Sequence, residues 1–171
     1  GMRDPSFEAT VTLVCEHTAD GALGLIVNRP TDLTLGEVLQ ELNRKPASPD
    51  LAGKRVIAGG PVARDRGFVV HGIPGEFDAT IEVSDAIRVS FSLDIVDHLA
   101  TASPNEPALF GLGYAGWDAG QLEAEMLSNA WLTAPSEPEL IFELPFSERW
   151  HRAAALIGVD IDRLSPDAGH D

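Results

Sequence analysis

The chain has 171 residues, enough for one domain with its own apolar core. At 44% apolar and 23% charged residues it has a globular composition, which excludes a wholly disordered or collagen-like chain. Its 12 Lys and Arg against 27 Asp and Glu leave a net charge of −15, a field that repels phosphate backbones and anionic membrane surfaces.

No apolar run approaches the roughly 20 residues of a membrane-spanning helix. The single cysteine, Cys15, cannot form an internal disulfide, and the expected location is the cytoplasm. Gly1, ahead of Met2, has the look of an expression remnant and is set aside.

"TVTLVCEH" and "TADGALGLIVN" read as a hairpin around Asp20-Gly21, with Val11, Leu13, Cys15 and His17 on one strand face. Gly24 implies a bulge or a close backbone approach, and Pro30 is expected to end the strand. "TLGEVLQELN" spaces Leu35, Val38, Leu39 and Leu42 as a helix, and "RKPASPDLAGK" has loop composition. Two short apolar runs then meet through Gly59-Gly60-Pro61.

"ATIEVSDAIRVSFS" reads as a second hairpin, and Ser92 as the cap of a helix striped by Leu93, Val96, Leu99 and Ala100. "ALFGLGYA" lacks alternation, as expected of a strand covered on both faces. Asp118 is placed at the N-cap of a helix running to about Asn129, "ELIFEL" is taken as a last strand, and Ser147 as the cap of a final helix. That helix is expected to bury Trp150, Ala153, Ala154 and Ile157 and to stop at Gly158. Hairpins mixed with strand–helix units predict an α+β class with a mixed, largely antiparallel sheet. The expected organisation is a single domain over residues 3–164 with a flexible tail at 165–171.

The string G-x-G-x-x-G occurs at Gly111, Gly113 and Gly116. A dinucleotide site needs free backbone N–H groups at a positive helix end, and here Asp118 is expected to occupy those donors and oppose a phosphate. On the next helix Leu122, Glu125, Met126 and Asn129 share a sector, so a carboxylate and an amide lie on the apolar face. The expectation is that they pin a neighbouring loop or pair with an arginine; the alternative is a polar floor for a ligand pocket.

Cys15, His17 and His71 fit no recognisable nucleophilic or zinc pattern, and no cofactor or metal is expected. Charge is uneven. Residues 89–148 hold ten carboxylates and no Lys or Arg, whereas Arg44, Lys45, Lys54, Arg55, Arg64 and Arg66 cluster within 23 residues. The cluster reads as a solvated loop face, with a small basic patch as the alternative.

Taken in order, "DPSF", "CEH", "GALGLIVNRP", "GGPV", "RGFVVH", "GYAGWDAGQLEAEMLSNAWL" and "RWHRAAALIGVD" resemble the AlgH/YqgE family of bacterial proteins over nearly the whole chain. The resemblance implies a curled, barrel-like sheet flanked by helices. Its glycine motif matches Gly113, Tyr114, Ala115, Trp117, Gly120, Gln121 and Leu122 and leaves out Gly111 and Gly116. It implies no established reaction and no catalytic residues; some members carry a transcriptional-regulator label.

Members usually have an apolar strand before the "DP-x-F" segment, and a missing strand would expose a sheet edge beside residues 8 to 16. Either the native chain starts upstream of Met2 or this member closes that edge differently, as by pairing between chains into a homo-oligomer. The functional expectation is a non-enzymatic binding or regulatory module with a protein or small-molecule partner. Its candidate surface comprises Asn28, Arg29, Gly59, Gly60, Arg66, His71, Tyr114 and Trp117, with Glu125 and Asn129 as a polar floor. The alternative is an enzyme using His71 or His17 with Glu125 as acid and base. Direct DNA binding conflicts with the charge.

Overall fold

The computed structural model describes residues 9–158, so the tail expected from Ser165 lies outside the described residues. β1 (Thr12–Thr18) and β2 (Gly21–Ile26) form the first expected hairpin. Leu13 and Cys15 are buried while His17 is exposed, because the register shifts between Val14 and Glu16 and the strand end leaves the core. A Cβ on Gly24 would stand 2.8 Å from Thr12 Cγ2 and 2.9 Å from Trp117 Cζ3, so the close approach there is that of an indole. Pro30 does not end this strand: β2 stops at Ile26 and Pro30 opens β3 (Pro30–Thr34), a first position that tolerates a missing donor.

α1 (Leu35–Glu41) starts at a complete capping box between Thr34 and Glu37. The segment expected to be loop contains a one-turn helix, α2 (Pro49–Ala52), capped by Ser48 and opened by Pro49. β4 (Arg55–Ala58) and β5 (Val62–His71) follow, then the second hairpin, β6 (Thr80–Glu82) with β7 (Arg88–Ser90). Ser92 occupies the N-cap position of α3 (Leu93–Ala100), but its hydroxyl bonds the Asp78 carbonyl and the Asp94 carboxylate and does not cap the helix. The buried stripe of α3 is Ile95, Val96, Leu99 and Ala100; Leu93 is left 56% exposed.

β8 (Ala108–Asp118) is the spine of the sheet. Over Gly111 and Leu112 it pairs antiparallel with β5 and parallel with β4, and from Ala115 to Asp118 it pairs antiparallel with β2. The strand order β1-β2-β8-β5-β7-β6, with β3 and β4 attached through β8, brings the end strands β1 and β6 near each other. The result is the expected α+β architecture, a largely antiparallel sheet nearly closed into a barrel-like shape with helices around it.

Period two divides the core. Val69, Ala108 and Phe110 join Leu39, Leu51, Ile95 and Leu99 in one cluster, whereas Phe68, Val70 and Leu109 join Leu25, Ile57 and Val89 in the other. Both faces of β5 from Phe68 to His71 and of β8 from Ala108 to Gly111 are therefore buried, which accounts for the apolar runs there. α4 (Gln121–Leu127), α5 (Pro138–Phe142) and α6 (Arg149–Leu156) complete the chain. "ELIFEL" is thus helical through Phe142, with Pro138 at the first helical position and adjacent Leu140 and Ile141 both buried, which no single face of a strand allows. Ser147 lies in a 3-10 turn, Phe146–Glu148, and α6 buries Arg149, whereas Trp150, Ala153, Ala154 and Ile157 are only half-buried.

Candidate ligand-binding cleft

The glycine string lies inside β8, and its backbone groups belong to the sheet. Gly111 pairs with Phe68 and Ile57, Gly113 packs under Gly60 at φ +80°, and Gly116 pairs with Leu23. The backbone of Gly111 is thus taken up on both edges and that of Gly116 on one, and none of the three glycines opens a helix as a dinucleotide site requires. The expected reason differs from the actual one: Asp118 is the exposed last residue of β8, and the N-cap of α4 is Gly120, in left-handed conformation at φ +78°. The Asp118 N–H donates to Gln121 Oε1 at 2.9 Å, which is half of the expected capping box.

Of the four residues assigned to one sector of α4, Leu122 and Glu125 are buried, Met126 is exposed, and Asn129 lies beyond the helix at φ +60°. Glu125 does not pair with an arginine or an imidazole. Its Oε1 accepts the indole N–H groups of Trp117 at 3.3 Å and Trp131 at 2.8 Å, while its Oε2 is buried without a partner. The rings meet edge to face with centroids 5.9 Å apart.

His71 is fully buried on β5. Its Nδ1 accepts the Ile73 N–H at 3.2 Å, so Nε2 carries the proton and donates to Ser90 Oγ at 2.8 Å. Ser90 in turn lies 2.7 Å from Thr80 Oγ1, which donates to the Phe77 carbonyl at 2.8 Å. Donation runs outward from the ring, so His71 cannot take a proton from Ser90. Burial, together with the charges of Arg88 and His98, pushes its pKa down to about 4.

His17 contacts Glu123 at 2.9 Å, not Glu125, and its hydrogen bond holds that carboxyl below its ordinary pKa. The proposed acid–base pairs of His71 or His17 with Glu125 are therefore not formed. Cys15 is buried, and desolvation, aided by Glu16, raises its thiol to about 12.

Gly59 and Gly60 close against β8 because any Cβ would strike Gly113, Phe68 or the Tyr114 backbone, so they serve packing of the β4–β5 connection. Tyr114 packs against the second core cluster, and Arg66 is exposed on β5. Asn28 and Arg29 instead face a cleft of about 520 Å³, between the β2–β3 connection, Arg55 at the start of β4, and Phe146, Trp150 and His151 at the start of α6.

Asn28 anchors the near wall. It accepts the Val11 N–H at 2.9 Å and donates to the Ala9 carbonyl at 3.0 Å. Arg55 Nε donates to the Thr31 carbonyl at 2.8 Å, and its Nη2 lies 3.6 Å from Asp32, so the guanidinium is held at the rim. No acidic side chain lines the cleft among the described residues.

Behind the wall lies Arg149, 3% exposed. It donates to the Leu144 carbonyl at 3.0 Å and the Val27 carbonyl at 2.8 Å, and its guanidinium carbon sits 4.3 Å from the Phe146 ring centroid. Burial lowers its pKa to about 10, which leaves it charged at neutral pH. Lys54 is held below its usual pKa by burial and then by the charge of Arg149, against an opposing pull from Glu106.

Trp150 and the Arg149 cation were not read from the sequence as site residues, although "RWHR" places three basic-type side chains and an indole within four positions. Such a cluster directly after sixty residues without Lys or Arg is the signal that could have found them.

The AlgH-like family model matches residues 1–162. The chain belongs to the AlgH-like family. A UPF0301 protein of Alcanivorax borkumensis is 45% identical over 169 residues, covering 99% of this chain and 90% of that one. A UPF0301 protein of Proteus mirabilis is 44% identical over 173 residues, covering 99% and 92%. Among solved structures, the AlgH protein of Pseudomonas aeruginosa, also called UPF0301, aligns with a TM-score of 0.78 at 44% identity over 99% of this chain and 90% of that one. A Corynebacterium diphtheriae protein aligns with a TM-score of 0.69 at 19% identity, over 99% and 85%, and shows the shared fold alone. In this AlgH-like chain, among the described residues, no helix is long and apolar enough to cross a membrane.

Proposed function

We propose that this AlgH-like protein is a non-enzymatic, cytoplasmic binding module whose ligand enters the cleft between the β2–β3 connection and the start of α6. The observation that carries the reading is the convergence of Asn28, Arg29, Arg55, Trp150 and His151 on a space of about 520 Å³, within the usual size of small-molecule sites. The acid–base alternative lacks support: His71 is committed to donating, and Glu125 to holding two indoles. A regulatory role would then act through ligand occupancy and not through direct contact with DNA, which a charge of −15 opposes.

A small-molecule fragment library screened by NMR on the full chain tests the reading. Binders are expected to shift the indole signal of Trp150 and the side-chain signals of Asn28. A library whose hits all map elsewhere, or that yields none, removes the cleft as a site.

A further inference from the structure

We infer that the cleft selects organic anions, a phosphate ester or carboxylate carried on a flat ring, and that Arg55 at the rim supplies the selectivity with the Arg149 charge behind the wall; this rests on the cleft being the binding site. Arg149 adds positive charge behind the wall. Its two hydrogen bonds go to carbonyls, it stacks on Phe146, and among the described residues no carboxylate forms an ion pair with it.

A buried cation without a counter-ion is costly, and Arg149 does not itself line the cleft but stacks on a residue that does. Phe146 lines the cleft directly, and Val27, which accepts from Arg149, precedes the lining residues Asn28 and Arg29.

The rim continues the same sign. Arg55 is fixed through Nε by Thr31, and an incoming anion would compete with Asp32, 3.6 Å away, for its Nη2 edge. His151 stands on the opposite side, and Trp150 offers a flat apolar surface beside it. In a protein with 27 carboxylates, a lining with no acidic residue among those described lowers the repulsion an anion meets, with Asp32 beside Arg55 as the near carboxylate. The second cleft, of about 530 Å³, shows the contrast: Glu76, Asp78 and Glu82 surround Arg88 there.

The experiment uses two matched pairs of probes with the full chain, adenosine monophosphate with adenosine and indole-3-acetate with indole-3-acetamide, each titrated while the Trp150 indole signal is followed. At least one anion is expected to bind while its uncharged partner binds about tenfold more weakly or not at all. The phosphate and carboxylate arms tell which group is preferred. Arg55→Gln is expected to weaken the anion by about tenfold, whereas Arg44→Gln, whose partner is Asp97, leaves it unchanged. Arg149→Met is expected to weaken the anion about threefold or more, whereas Arg149→Lys, which keeps the inner charge, is expected to bind it as the parent does and shows that the fold is intact.

Equal binding of charged and uncharged partners, an Arg55→Gln variant that binds as well as the parent, or no shift of Trp150 with any of the four probes overturns the inference. Neutral fragments found in the cleft by the library screen would still leave the binding-module reading standing, so the two failures are separable.

Discussion

Trp131 donates its indole N–H to the buried carboxylate of Glu125 at 2.8 Å, and Trp117 donates to the same oxygen from β8. One carboxylate thus ties the segment after α4 back to the spine of the sheet. Glu125→Ala leaves two indole donors without this acceptor and is expected to cost about 2–4 kcal/mol, measured by urea unfolding. Glu125→Gln retains an acceptor oxygen and is expected to lose less, about 1 kcal/mol. Equal losses for the two variants would show that the charge, and not the acceptor, holds the indoles.

The three glycines of the β8 string separate packing from phosphate binding. A Cβ at Gly111 meets the Phe68 ring, one at Gly113 meets the Gly60 carbonyl at a positive φ, and one at Gly116 has only Tyr114 Cε2 at 3.6 Å. Gly111→Ala and Gly113→Ala are each expected to cost more than about 2 kcal/mol, and Gly116→Ala less than about 0.5 kcal/mol, by thermal or chemical unfolding. A destabilising Gly116→Ala would contradict the geometry of β8.

His71 makes stability depend on pH. Its folded pKa of about 4 lies below the ordinary 6.5, so between these values the unfolded chain binds the extra proton. The contribution is complete above 6.5, declines as pH falls towards 4, and amounts to on the order of 3 kcal/mol. Urea titrations from pH 7 to about pH 4 should show this slope in the parent and a shallower one in His71→Gln. Parallel slopes would remove His71 from the acid response.

Cys15 is expected to resist a thiol-directed reagent in the folded protein at neutral pH, because its thiol is buried and raised to about 12. Modification should proceed at the rate of unfolding and become fast in denaturant. Rapid labelling of the native chain would mean that β1 opens locally.

Much of the architecture was legible along the chain, and for identifiable reasons. The Asp20-Gly21 turn, the Thr34–Glu37 capping box, the alternation of the second hairpin and the doubly buried run of β8 are local patterns that act within a few residues. The ordered motifs carried the family. By contrast, "ELIFEL" is too short for its period to separate helix from strand, and Pro138 with packing against the sheet decided it.

The site was less legible than the fold. The ten residues read as a candidate surface do not line one space: the cleft includes Asn28 and Arg29, while His71, Gly59 and Glu125 serve the interior. Arg149 lies 122 positions from Val27, and no sequence pattern links a cation to a carbonyl at that distance. The sequence alone determined the class of fold, the family and the acidic balance, because these depend on local periodicity and summed charge. Tertiary structure decided which side chains turned inward and where positive charge collected, because burial and pairing depend on residues that only folding brings together.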